Sequence, residues 1–301
     1  MSTGPFISAE GLPGELLRLD SAAGDLALRV SGRGAPLLLI HSVNAAPSGA
    51  EVAPVHRHQE RIRCVFSLDL PGFGASQRSD RAYTPRLMTD AIHAATQEIQ
   101  RRCGQVPIDA LALSLSCEFL ARAATEQPHH FRSLGLVSPT GFNGTRVRQG
   151  PPGSTLAMPW LLSMLHGTAL WRALFRTLTR PGVVRFFLRK TFGSPQICEW
   201  LHEQAVQTAR AEGALHAPLY FLTGHLFSRD IHSVYDGLKC PVWMCHGVRG
   251  DFTDYRQKSR LEGAANWHFS VMQTGALPHF EAPAAFMAAY DQFLMGPAGR
   301  A

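Results

Sequence analysis

Short apolar runs separated by longer, mixed stretches set the pattern of this chain. Pro36–Ile40 (PLLLI), Cys64–Leu70 (CVFSLDL), Ile108–Leu113 (IDALAL), Ser133–Val137 (SLGLV) and Pro241–Cys245 (PVWMC) are too short for buried helices. They lack the polar alternation of a half-exposed sheet, which is the pattern of strands covered on both faces. Trp267–Met272 reads as a last strand, and Glu15–Leu19 and Leu26–Val30, bounded by glycines, alternate as an N-terminal hairpin. Helical periodicity fills Thr84–Cys103, Leu115–Glu126 and the stretch from Pro283 to about Leu294. Buried strands alternating with helices predict an α/β fold with a mostly parallel central sheet and flanking helices. The interval from Gly141 to Gly237 breaks the rhythm: it opens on a Gly/Pro-rich linker and then shows helical patterns without a buried strand. The organisation expected is therefore a core over 1–140, a helical cap or lid insertion over 141–237, and the rest of the core over 238–301.

Composition narrows the function classes. With 301 residues, 45% hydrophobic and 17% charged, the chain can bury a large core and is no disordered segment. No apolar run approaches the roughly 18 residues needed to cross a bilayer, and the first residues lack a basic-then-apolar leader pattern. Six scattered cysteines with no CxxC spacing read as reduced thiols of a cytoplasmic protein, not as a disulfide scaffold or a zinc site. The net charge of +6 is concentrated: eight basic and no acidic residues lie between Gly144 and Lys190. The remainder carries 21 basic against 23 acidic residues. Arg172, Arg176 and Arg180 recur at helical spacing beside Trp160, Trp171 and Phe175, so a solvated basic stripe over an apolar inner side is expected. No nucleic-acid module accompanies these charges, so a nucleic-acid partner is not expected, whereas contact of the basic cap with a membrane surface is a weaker alternative to simple solvation.

Chemistry enters at the carboxyl ends of the predicted strands. Ala112-Leu113-Ser114-Leu115-Ser116 places a serine between small residues at a strand-to-helix junction. A sharply turned, strained backbone tolerates only small neighbours two positions either side. Without context, a helix N-cap serine explains the same residues equally well. Context comes from His41-Ser42-Val43-Asn44 after the first buried run, from His246-Gly247-Val248-Arg249-Gly250-Asp251-Phe252-Thr253-Asp254 after the fifth, and from Pro278-His279-Phe280-Glu281-Ala282-Pro283 near the end. His41, His129, His130, His246 and His268 read as structural or surface histidines, and Glu118 as a buried hydrogen-bonding group on the helix after Ser114.

In this order the motifs resemble the α/β-hydrolase superfamily, in its serine-nucleophile, esterase- and lipase-like branch with a helical cap. The resemblance spans nearly the whole chain. It implies Ser114 as nucleophile, His279 as base, Asp251 as acid with Asp254 as the alternative, and an oxyanion hole of the Val43 and Leu115 N–H groups. Ser42, Asn44, Trp160 and Trp171 are expected around the substrate pocket, and Asp69–Ser76 matches a structural turn. The sequence departs from the pattern at both elbow glycines, at Ser42 in the oxyanion loop, and in the four-residue step from Gly247 to Asp251. The activity implied is cleavage of a small-molecule carboxylic ester with an apolar acyl or alkoxy group, without cofactor or metal. Carbon–carbon bond hydrolysis of a vinylogous diketone is one alternative; a catalytically silent binding or accessory protein on the same fold is another.

Overall fold

The computed structural model describes residues 12–296. Eight strands form one sheet: β1 (Glu15–Leu19), β2 (Leu26–Ser31), β3 (Pro36–Ile40), β4 (Cys64–Asp69), β5 (Ile108–Leu113), β6 (Phe131–Val137), β7 (Val242–Gly247) and β8 (Trp267–Met272). Their order across the sheet is β1-β2-β4-β3-β5-β6-β7-β8. The first two pairings are antiparallel and the remaining ones parallel. The hairpin closes with Leu19 opposite Leu26.

The continuous apolar strands work because both faces are covered. Leu38, Ile40, Ala110, Ala112 and Met244 point to one hydrophobic cluster, while Leu37, Leu39, Leu111, Leu113 and Trp243 point to the other. The first cluster is roofed by α2 (Pro85–Cys103) and α3 (Ser116–Glu126), which contribute Met88, Ile92, Phe119 and Leu120. The second is closed by α1 (Ala53–Gln59) and by the C-terminal α11 (Pro283–Met295), whose Tyr290 stacks on Trp243 at 5.2 Å. Gly135 in β6 leaves room there, since a Cβ would stand 3.1–3.2 Å from Leu111 and Tyr290 carbons.

Between β6 and β7 the chain forms α4 (Pro159–Leu165), α5 (Ala169–Leu178), α6 (Pro181–Phe192), α7 (Glu199–Thr208), α8 (His216–Leu222) and α9 (Ile231–Asp236). Its one strand-like contact is an isolated bridge between Thr155 and Ser228. A short helical turn, α10 (Pro278–Glu281), separates β8 from α11. Thr168 caps α5 by accepting the Trp171 N–H, and Gly193 ends α6 in the left-handed region that a C-terminal cap needs. On α5, Trp171 and Phe175 turn inward and are buried, whereas Arg172 and Arg176, and Arg180 at the turn into α6, are exposed. No carboxylate pairs with those three arginines among the described residues. All six cysteines are free thiols, and no helix among the described residues is long and apolar enough to cross a membrane.

Candidate active site

Ser114 sits at the turn from β5 into α3 with φ +53°, a left-handed conformation that costs a side-chain-bearing residue free energy. The turn is held from two sides: the Ser114 N–H donates to the Val137 carbonyl at 2.8 Å, and its carbonyl accepts the Cys117 N–H at 3.1 Å. Ser116 does more than stay small. Its hydroxyl donates to the His41 carbonyl at 2.5 Å, fastening the start of α3 to the loop after β3. The next strand repeats the device. Ser138 follows β6 with φ +48°, its N–H on the Cys245 carbonyl and its hydroxyl on the Ala276 carbonyl, each at 2.7 Å. Two strained serines thus lie at adjacent carboxyl ends of the parallel sheet, where open α/β folds place their sites.

The loop after β3 is organised by a residue that sequence reasoning missed. Glu51, in the 3-10 turn Gly49–Val52, accepts the Ser42 N–H at 2.7 Å and the Asn44 side-chain amide at 2.9 Å. Asn44 in turn accepts the Ala46 N–H at 2.8 Å. His41 lies beneath: its Nε2 accepts the Leu70 N–H at 3.0 Å, so Nδ1 carries the proton and donates to the Ser42 carbonyl at 2.5 Å. The N–H groups of Val43 and Leu115 have no hydrogen-bond partner among the described residues. The sequence signal for Glu51 was faint, a single acid set between Ala50 and Val52 with no motif around it.

No hydrogen bond joins His279 to Ser114 among the described residues. His279 is wholly buried in α10, with Phe280 and Phe286 rings at 4.9 and 5.5 Å. Its Nε2 lies 2.7 Å from the Glu51 carbonyl. A carbonyl only accepts, so Nε2 bears the proton and Nδ1 the lone pair, and Nδ1 is buried without a partner. That tautomer is the reverse of a triad base, which offers a lone pair at Nε2 and donates from Nδ1. Burial pushes the imidazole down to about 4, opposed only by the Glu51 carbonyl bond. Three positions earlier, the Ala276 carbonyl accepts the Ser138 hydroxyl.

Neither acid reaches His279. Asp251 is exposed, 3.4 Å from Lys190 Nζ, and its N–H donates to the Lys190 carbonyl at the end of α6. Gly250 makes that approach possible with φ +85°, since a Cβ there would stand 2.4 Å from the Lys190 carbonyl oxygen. Asp254 accepts the Gly144 N–H at 2.9 Å and the Arg256 guanidinium at 2.7 and 2.9 Å, and Arg256 first of all holds its carboxyl well below the usual range. Glu118 is fully buried and bonds the Thr140 hydroxyl at 2.5 Å and the Ser228 N–H at 2.8 Å; burial raises its pKa. It joins α3 to the segments that enter and leave the helical interval.

An apolar cavity of about 360 Å³ lies between the loop after β3 and the helices of the interval. Asn44, Ala45, Ser48 and Glu51 line one side, and Trp171, Phe175, Leu178, Val184, Leu201 and Phe221 the other. Of the residues expected around the pocket, Asn44 and Trp171 line it. Ser42 and Trp160 do not, Ser42 because its N–H and hydroxyl are turned to Glu51 and Asn44, and Trp160 because it faces solvent on α4. Trp171 also donates from Nε1 to the Leu215 carbonyl at 3.0 Å, which makes it a core residue as much as a cavity wall. Ser114 and His279 are not among the lining residues. No group of three or more metal-ligating side chains is found among the described residues.

An eight-stranded, mostly parallel sheet covered by helices on both faces, with a strained serine between β5 and α3, is the α/β-hydrolase fold, and the chain has that fold. No protein-family profile matches it, and no curated protein matches it by sequence. Among solved structures it is similar to a bacterial membrane phospholipase A, 19% identical, covering 95% of this chain and 87% of that one, with a TM-score of 0.72. It is similar to a serine hydrolase involved in carbazole degradation at 13% identity, covering 94% and 99%, TM-score 0.73. A thermophilic esterase from Thermogutta terrifontis is also similar, 17% identical over 94% of this chain and 98% of that one, TM-score 0.70.

Proposed function

We propose that the protein is a hydrolase of carboxylic esters with an apolar acyl or alkoxy group, with Ser114 as the nucleophile and the Val43 and Leu115 N–H groups as its oxyanion hole. The observation that carries this reading is the backbone of Ser114. Left-handed strain on a non-glycine residue persists only where the surroundings enforce it, and here two unpaired N–H groups accompany it. The apolar cavity under the helical cap supports the substrate class, and the similar structures bear the names of hydrolases and esterases. Ser114 would attack the carbonyl, pass its proton to His279 and form an acyl-enzyme that water then resolves. For that, His279 has to exchange the Glu51 carbonyl for the serine and shift its proton to Nδ1, and Asp251 has to leave Lys190.

The placement of the base favours a second reading: a catalytically silent protein that keeps the fold and the cavity and binds an apolar ligand without turnover. Steady-state hydrolysis of p-nitrophenyl esters of graded acyl length separates the two. If His279 and Asp251 act, Asp251→Asn lowers kcat by up to about 10⁴-fold, as loss of the group orienting an imidazole does, while Asp254→Asn costs far less. Absence of turnover on every ester supports the silent protein, whereas equal, small effects of both variants place the orienting acid elsewhere.

A further inference from the structure

We propose that the outer face of the helical interval is a docking surface for an anionic lipid bilayer, with the mouth of the apolar cavity turned to the lipid. α5 and α6 pack against each other and both line the cavity with their inner sides, Trp171 and Phe175 from one and Val184 and Leu188 from the other. Their outer sides therefore share one surface. That surface is unusual in two respects at once. Large apolar side chains stand in water on it: Phe186 is 54% exposed and Phe187 51%, and their rings meet at 5.5 Å. Phe187, Leu222 and Phe252 are exposed and also line the cavity, so they form its rim, and Trp160, 67% exposed, lies on α4, which packs against α8. Isolated exposed apolar residues need no explanation, but a set grouped around one cavity mouth marks a surface that meets another.

The charge says what that other surface is. Arg172 and Arg176 on α5, Arg180 at the turn into α6, and Arg189 and Lys190 on α6 are exposed; Lys190 meets Asp251 at 3.4 Å, but no acidic residue lies between Gly144 and Lys190, although the rest of the chain is slightly acidic. Lys190 carries its ammonium 5.8 Å from the Phe186 ring, placing cation and apolar group side by side. Aromatic and aliphatic groups set among arginines and lysines are what an interfacial helix presents to phospholipid, the rings entering the acyl boundary and the cations holding anionic head groups. A soluble protein partner would call for fewer like charges at the centre of the patch. The proposal does not depend on turnover at Ser114. If that reading also holds, an ester drawn from the bilayer enters the cavity through the Phe187–Phe252 rim without crossing water.

Sedimentation with sucrose-loaded vesicles tests it, one set of phosphatidylcholine alone and one of equal parts phosphatidylcholine and phosphatidylglycerol. Wild type is expected to partition at least roughly tenfold more strongly onto the mixed vesicles, each surface cation being worth on the order of fivefold. The Arg172→Glu/Arg176→Glu/Arg180→Glu triple variant should lose that preference, and Phe186→Ser/Phe252→Ser should weaken binding to the mixed vesicles by roughly tenfold or more. Thermal unfolding of these surface variants at the wild-type temperature shows that they are folded. Ser114→Ala should bind as wild type does, which separates docking from hydrolysis. Failure of wild type to sediment with either vesicle overturns the proposal. So does binding that survives both sets of substitutions, or that follows the arginines while ignoring the two phenylalanines.

Discussion

Ser114→Ala is expected to remove covalent labelling by a fluorophosphonate and to lower ester turnover by on the order of 10⁴-fold or more, because in the proposed reaction the Ser114 hydroxyl is the attacking group. The expectation follows from the turn between β5 and α3. Its φ of +53° presents the hydroxyl at the end of the sheet, and the neighbouring N–H groups of Val43 and Leu115 are unspent. Alanine keeps the Cβ and hence the same strain, so the unfolding midpoint should hardly move. Activity-based labelling followed by intact mass reads the result directly: one adduct on wild type and none on the variant. An adduct of equal stoichiometry on Ser114→Ala would place the nucleophile elsewhere, with Ser138, the other left-handed serine, the first position to substitute.

A second large effect is expected on stability as the pH falls. His279 and His56 are both fully buried, and burial first of all lowers each to about 4 from an ordinary 6.5; for His56 the adjacent Arg57 adds to the effect. Removal from water disfavours the charged imidazole, so the folded protein holds both rings neutral above about 4. The unfolded chain takes up those protons near its ordinary value while the folded one refuses them until about 4. Stability from these two groups is therefore complete above about 6.5 and is lost between about 6.5 and 4, on the order of 3 kcal/mol for each ring. Urea unfolding across that window should show midpoints falling steadily on acidification. His279→Gln, which can still donate to the Glu51 carbonyl, should flatten the slope by one proton's worth. A slope identical to wild type would mean that His279 already carries its charge in the folded state.

Much of the sheet was legible because its strands are apolar on both faces, and residues such as Leu37 and Leu38 can be continuous only between two cores. The first residues of β6 were missed: Phe131 precedes the apolar run but pairs with Ile108 all the same, and Arg132 is skipped by the register before Ser133 pairs with Asp109. Ser114 was legible through a local steric requirement, small residues two positions away, which composition alone can express. Glu51 was not, because its function lies in bonds to Ser42 and Asn44 and in a carbonyl offered to His279, more than two hundred residues away. Ser138 had no signal in the sequence at all, since its strain is imposed by bonds to Cys245 and Ala276 from two other strands' ends.

Glu51 gives the two ends of the cavity opposite polarity. It lines the inner wall, accepts two N–H donors, and pairs with no cation among the described residues, while arginines and a lysine crowd the helices around the outer rim. Two like charges about 6 Å apart at an effective dielectric of ~20 repel by roughly 3 kcal/mol. Under the proposed ester hydrolysis, a neutral ester settles against that wall, whereas the carboxylate it releases is repelled from Glu51 and drawn back towards the basic helices at the entrance.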